Sequence, residues 1–407
     1  MPTDPQIFTF HFGTLESLAF AAIIYYFGSW LKTKIRILRR LSVASPVVGG
    51  LTVAVILSLL QGFNIAHITF DATLQKQLMI AFFTTIGLMA SLKVVKKGGI
   101  MLFFFLMAVT VLTVLQNCLG MSVASLLGID SRYGIMVGSV SLMGGLGTSA
   151  AFGPYFEQTY GLSGATAVAI TSATLAMTNS LLIGGPIGEW LIKRYKVKTP
   201  DLNDDSAKKM AEDEMHDKRK GSRSWTADIL KALTVILICM SLGKVISEEL
   251  SAYLTLPVYI GSMIAAAICR NVGDLFHFFH ENDKATNALA EISLALFVTM
   301  AINALKLNEL VHLALPLLTI WLCQLALLLV FAWGVLFTLF GRNYDAVMLT
   351  VGGCGFCMGS TSTGLTNMQG LGEKYGHSPK AWLIVSLVGA FLIDFINALT
   401  ITWFGAL

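Results

Sequence analysis

Ten apolar runs, most of them about as long as a bilayer is thick, take up nearly the whole of this chain. They fall near residues 14–31, 44–62, 77–94, 100–126, 164–192, 226–247, 256–270, 286–305, 312–339 and 381–405. A helix needs about 20 predominantly apolar residues to cross the hydrocarbon core. In that core every backbone polar group must find its partner inside the protein, so only helices and closed barrels span it. Runs of this length select helices, and the expected fold class is an all-α integral membrane protein. Composition agrees: 13% of the residues are charged and the mean hydropathy is +0.72, whereas soluble domains carry roughly 25% charged residues. No basic face suits a nucleic acid. The first basic residue is Lys32, so the N-terminus lacks the basic region of a cleavable signal peptide.

One long polar segment, residues 193–225, divides the runs into two groups of five. Its mixed charges and lack of apolar content read as an exposed linker with a short surface helix at 206–219. The two halves repeat each other. SPVVGGL at 45–51 is echoed by LPVYIGS at 256–262, AFFTTIGLMASLK at 81–93 by ALFVTMAINALK at 295–306, and QTYGLS at 158–163 by EKYGHS at 373–378. The spacing between partners stays nearly constant, as a duplicated unit requires.

Each half also holds one stretch rich in Gly, Ser and Thr, Tyr133–Gly161 and Tyr344–Gly376. Such a stretch makes a poor membrane helix. Non-helical backbone is tolerated at bilayer depth only when protein buries it or when it lines a wet cavity. A matched pair of Gly-interrupted segments points to the binding site of a secondary transporter.

Basic residues set the sidedness. Lys32, Lys34, Arg36, Arg39 and Arg40 put the first loop in the cytoplasm and the N-terminus outside. Lys93, Lys96 and Lys97 are again inside, as are Lys193, Arg194, Lys196 and Lys198 after the fifth run. A single crossing by 133–157 would put that last group on the wrong side, whereas a hairpin entering and leaving by the outer face keeps it inside. An odd number of spans per half inverts the second repeat. The hairpin at 344–372 then dips from the cytoplasm, with Arg342, Lys374 and Lys380 at its base, and the C-terminus lies outside. Lys306, near the outer side, is the one exception, and it can snorkel to an interface. The expected organisation is a first repeat over 12–192, a cytoplasmic linker over 193–225 and an inverted second repeat over 226–407, each with five helices and one re-entrant hairpin.

Half-helix N-termini carry partial positive charge and unused N–H donors, and C-terminal ends expose carbonyls. The first suit a carboxylate; carbonyls and hydroxyls suit Na⁺. The substrate-binding candidates are Gly144, Gly145, Gly147, Thr148 and Ser149 in the first hairpin, with Gly353, Gly355, Ser360, Thr361, Thr363 and Asn367 in the second. Asp394 lies in the middle of the last run, where a carboxylate is costly and therefore a functional candidate. Asn179 is its repeat mate, and Asn397 shares its helical face. Asp394, Asn179, Asn397 and Ser362 are the Na⁺ candidates. The competing explanation for the small residues is close helix packing. Gln116 and Asn117 read as interhelical hydrogen-bonding groups, and His277 and His280 as an interfacial patch. The CxxC at Cys354 and Cys357 has no supporting His or Cys nearby and reads as small apolar packing. No Arg lies in a span centre, so a substrate carboxylate would be held by N–H groups and hydroxyls. No nucleophile–base pair or metal cluster suggests an enzyme.

The stretches QNCLGMSVASLLGID, SVSLMGGLGTSAAF, GRNYDAVML, GGCGFCMGSTSTGLTNMQ and VGAFLIDFINALTI resemble the glutamate:sodium symporter family of bacterial carriers over nearly the whole chain. That resemblance implies Na⁺-coupled uptake of L-glutamate across the bacterial inner membrane, a homodimer, inverted repeats and elevator-type alternating access. The chain departs from the family at GGLGTS, where the first signature typically reads GGHGTG: Leu146 takes the His position and Ser149 a Gly position. Ser362 stands where Pro is common. Two alternatives accompany this reading: a Na⁺-coupled carrier of another small carboxylate, and a cation/proton antiporter using Asp394. A channel is a third class, since pore loops are also Gly-rich, but inverted duplication argues against a symmetric central pore.

Overall fold

The computed structural model describes residues 8–36, 38, 43–63, 65–93, 99–200, 225–250, 257–276, 283–305 and 313–407. Lys96, Lys97, Arg39, Arg40, His277, His280, Lys306 and the expected surface helix at 206–219 lie outside the described residues.

The apolar runs fold as helices. The first half contains α1 (Thr14–Lys34), α2 (Ser45–Gly62), α3 (Thr73–Met89), α4 (Gly99–Leu126), α5 (Arg132–Ile135), α6 (Gly145–Tyr160) and α7 (Ala165–Tyr195). The second contains α8 (Trp225–Leu250), α9 (Val258–Phe276), α10 (Asp283–Asn303), α11 (Ala314–Phe331), α12 (Tyr344–Phe356), α13 (Thr361–Tyr375), α14 (Pro379–Leu387) and α15 (Ile393–Gly405). Wider π-helical turns extend α5 through Met136–Val140 and α11 through Ala332–Phe337, and join α14 to α15 through Val388–Leu392. Seven helices among the described residues are long and apolar enough to cross a membrane. Many of their outer faces carry exposed apolar side chains, including Ile23, Leu59, Phe103, Leu237, Leu322 and Val330, as surfaces bathed in lipid do.

Two details depart from the sequence reading. The expected run 77–94 stops as a helix at Met89, because Asn271 of α9 donates to the Ala90 carbonyl (2.7 Å) and accepts from the Leu92 N–H (2.8 Å), replacing the helical ladder there. The expectation of an all-α chain also misses a short parallel pair, β1 (Phe8–Phe12) with β2 (Ala66–Phe70). Alternating aromatic and β-branched residues favour this extended form. Phe12, Phe20 and Phe70 stack with ring centroids 5.3–5.5 Å apart, and His11 Nδ1 meets Thr69 Oγ1 at 2.9 Å.

The helices sort into two groups. α1, α2, α3, α8, α9 and α10 pack among themselves, while α4, α7, α11, α14 and α15 surround the two helix pairs α5–α6 and α12–α13. The largest buried cluster includes Phe105, Phe152, Phe156, Phe337 and Phe356 of this second group and extends into the first through Phe83 and Ile86 of α3 and Tyr259, Ile260 and Met263 of α9. The groups meet where α6 touches α10 and where the α14–α15 turn touches α3.

Candidate functional site

Each Gly-rich stretch folds back on itself, and matching clips close the two bases. The Tyr133 hydroxyl donates to the Ser163 carbonyl (2.6 Å), and the Tyr344 hydroxyl donates to the Gly376 carbonyl (2.5 Å). The bases lie at opposite ends of the helices that follow them. α7 starts beside the first base, and its Glu189 pairs with Lys374 at the second base (2.6 Å). From Ala165 to Glu189 an α-helix rises about 36 Å. α14 starts beside the second base, and the last helix ends where Arg132 Nε, at the first base, donates to the Gly405 carbonyl (3.4 Å).

With bases so placed, the tips meet between them. Gly145 has φ +62°, and a Cβ added there would lie 2.6 Å from the Gly359 carbonyl of the other tip. Only glycine takes that conformation without strain and permits that approach. The second tip is held by a capping box: Ser360 Oγ accepts from the Thr363 N–H (3.3 Å), and Thr363 Oγ1 accepts from the Ser360 N–H (3.1 Å). Thr363 Oγ1 also donates to the Gly355 carbonyl (2.9 Å), joining the two arms where Gly355 and Gly364 touch backbone to backbone.

A cavity of about 310 Å³ opens at the meeting tips, within the size range of small-molecule sites. Of the residues singled out from sequence, Gly144, Gly145, Gly147, Thr148, Ser360, Thr361, Ser362 and Asp394 line it together. The N-termini of α6 and α13 both reach it, and no side chain caps the first. Each contributes a positive end of about half an elementary charge. Among the described residues Asp394 is the only ionisable one in the lining. Thr361 Oγ1 hydrogen-bonds the Gly389 carbonyl in the widened turn just ahead of Asp394, which ties the second tip to the carboxylate's helix.

The remaining candidates sit elsewhere. The Ser149 hydroxyl, fully buried, points back to the Val140 carbonyl (3.5 Å). Gly353 packs against Leu336 and Phe105, and Gly355 and Thr363 serve the tip's internal bonds. Asn367 Nδ2 donates to the Ser180 carbonyl of α7 (2.8 Å). Asn179 folds onto its own helix, donating to the Leu175 carbonyl (2.8 Å), and does not line the cavity with Asp394. Asn397 is buried and donates to the Ser139 carbonyl (3.0 Å). Sequence reasoning missed Phe82 and Leu294, which wall the cavity beside Gly147, and Gly359 and Gly389. Phe82 and Leu294 lie in or next to the repeated segments at 81–93 and 295–306, and that duplication was their available signal.

This geometry accompanies a clear kinship. A family model described as sodium/glutamate symporter matches residues 10–377. The chain is 37% identical over 395 residues to the sodium/glutamate symporter of Escherichia coli (strain K12), covering 96% of this chain and 97% of that protein. It is 34% identical over 393 residues to the Haemophilus influenzae sodium/glutamate symporter, covering 96% of each. The chain therefore belongs to the sodium/glutamate symporter family, a family of multi-pass membrane transporters rather than enzymes.

Proposed function

We propose that this protein is a secondary carrier that couples Na⁺ entry to uptake of L-glutamate through the cavity between the two hairpin tips. The observation that carries the proposal is the cavity itself, where two helix N-termini converge on a chamber whose single ionisable residue, among those described, is Asp394. Glutamate brings two carboxylates, and two positive helix ends with N–H donors suit them without any Arg. Asp394 and the Ser362 hydroxyl hold a coupling Na⁺ beside the substrate, since hard cations prefer oxygen. Leu146 in the lining, at the family's His position, keeps that wall apolar.

The halves act as inverted five-helix repeats, and the hairpins enter from opposite faces, the first from outside and the second from the cytoplasm. The bases at opposite ends of α7 support this, as do the twin tyrosine clips. The N- and C-termini lie outside and the 193–225 linker inside. Alternating access is an elevator movement of the hairpin-bearing helix group against the α1–α3 and α8–α10 group, within a homodimer in the bacterial inner membrane. The confinement of the cavity's polar lining to the hairpin group, apart from its apolar contacts with α3 and α10, supports such a movement.

A thermal-shift screen of amino acids and small carboxylates, with and without Na⁺, tests the ligand. A ligand at 100 times its Kd stabilises the folded state by about 2.7 kcal/mol. L-Glutamate is expected to raise the melting temperature in Na⁺ and not in choline. A larger shift with another carboxylate would replace glutamate as the substrate.

A further inference from the structure

Five of the nine buried side-chain polar atoms that lack a hydrogen-bond partner among the described residues fall in one neighbourhood. They belong to Gln116 and Asn117 of α4, Ser139 in the widened turn of the first hairpin, Gln324 of α11 and Asn397 of α15, all with no exposed surface. None of these residues lines the cavity.

Backbone partners fix how each amide is turned. Gln116 Nε2 donates to the Cys357 carbonyl (3.2 Å) and Gln324 Nε2 to the Gln116 carbonyl (2.6 Å). Asn397 Nδ2 donates to the Ser139 carbonyl (3.0 Å), while Asn117 Oδ1 accepts from the Ser139 N–H (3.1 Å). Exchanging oxygen and nitrogen in any of the first three would set two acceptors face to face. What remains unmatched is therefore three acceptor-only oxygens, Gln116 Oε1, Gln324 Oε1 and Asn397 Oδ1, together with the Ser139 hydroxyl, which can donate or accept, and the Asn117 amide nitrogen. Gln116, Asn117 and Gln324 approach Gly138, whose ψ of −124° breaks the arm. A Cβ added there would lie 3.1 Å from the Gln116 carbonyl, 3.2 Å from Asn117 Oδ1 and 3.3 Å from Gln324 Nε2.

We propose that the amide oxygens of Gln116, Gln324 and Asn397 and the Ser139 hydroxyl form a second Na⁺ site, behind the hairpin tips. Buried amide oxygens without a donor, beside a hydroxyl that can turn its lone pairs inward, are surroundings in which a hard cation is held. Neutral amides and a hydroxyl suit a single positive charge, because no carboxylate is present to balance a second. The site spans both hairpins, with Ser139 on the first and Gln116 holding the Cys357 carbonyl at the tip of the second. An ion there sets the tips in register for substrate, which couples ion to cargo. The inference rests on the symport reading for the identity of the ion.

Equilibrium binding of ²²Na⁺ to the purified full-length protein, without glutamate, is the test. Gln324→Met and Ser139→Ala are expected to raise the half-saturating Na⁺ concentration of one bound ion about tenfold or to remove it, whereas Asp394→Asn retains that ion. Ser139→Ala removes one hydroxyl and no packing, and decides the matter if Gln324→Met does not fold. Wild-type Na⁺ binding in both variants would overturn the site and leave ordered water as the partner of these oxygens. Loss of all Na⁺ binding in Asp394→Asn alone would also overturn it. Na⁺ binding that depends on Gln324 and Ser139, in a protein that takes up no glutamate, would sink the symport reading and keep the ion site.

Discussion

At the level of single residues, the cavity depends on a few positions that tolerate no side chain. Gly145 combines a left-handed φ of +62° with a carbonyl 2.6 Å from where a Cβ would sit. A non-glycine residue held in such a conformation costs about 1–3 kcal/mol, and here the clash parts the two tips as well. Gly145→Ala is expected to lower thermal stability and to abolish uptake, as measured by thermal unfolding and vesicle transport on the same preparation; full uptake would remove the tip contact from the account. Residue identity was legible in the sequence where chemistry is rare. Asp394 stood out as a carboxylate in an apolar span, and it does line the cavity. Asn179 was paired with it by repeat arithmetic alone, and arithmetic does not fix rotation about a helix axis, so its amide turns to Leu175 instead. Gln324 gave no signal, because one amide in an apolar run looks like any interhelical hydrogen bond.

The hairpins carry the account at the scale of elements. Gly, Ser and Thr density marked both stretches, and each folds as two short helical arms, Arg132–Val140 with Gly145–Tyr160 and Tyr344–Phe356 with Thr361–Tyr375. Their inner wiring was not legible in the sequence. Thr363 and Gly355 look like ligands in sequence, yet the first closes a capping box and the second lets the arms touch. Hydroxyls at a helix start serve caps and ligands equally well, so spacing cannot separate the two roles. Ser360→Ala removes the cap of α13 and is expected to cost about 1 kcal/mol, while Ser362→Ala, one turn position on and free of that box, leaves stability within a few tenths of that of the parent. Thermal unfolding of the two variants side by side checks this; equal losses would deny the cap its role. The strand pair was missed because five-residue β segments are too short to compete with the helical period in a chain this apolar.

For the whole molecule, the balance of charge across the loops sets the expected sidedness. It predicts that 133–157 returns to the face it came from; in the folded chain the ends of the two Gly-rich stretches lie beside opposite ends of α7, about 36 Å apart along the helix. A single cysteine at Ser163 in an otherwise cysteine-free background should react with a membrane-impermeant thiol reagent from outside intact cells, and one at His377 only after the cytoplasmic face is opened. Labelling of both from the same side would undo the inverted topology. Sequence alone did not reveal the division into two helix groups, since that depends on which apolar faces meet and not on how many there are. The central claim, Na⁺-driven glutamate transport through the tip cavity, is tested most directly by uptake of radiolabelled L-glutamate into proteoliposomes. The account predicts accumulation under an inward Na⁺ gradient, none when choline replaces Na⁺, and at least a tenfold loss in folded Asp394→Asn. Equal uptake in Na⁺ and choline, or wild-type rates in Asp394→Asn, would contradict it.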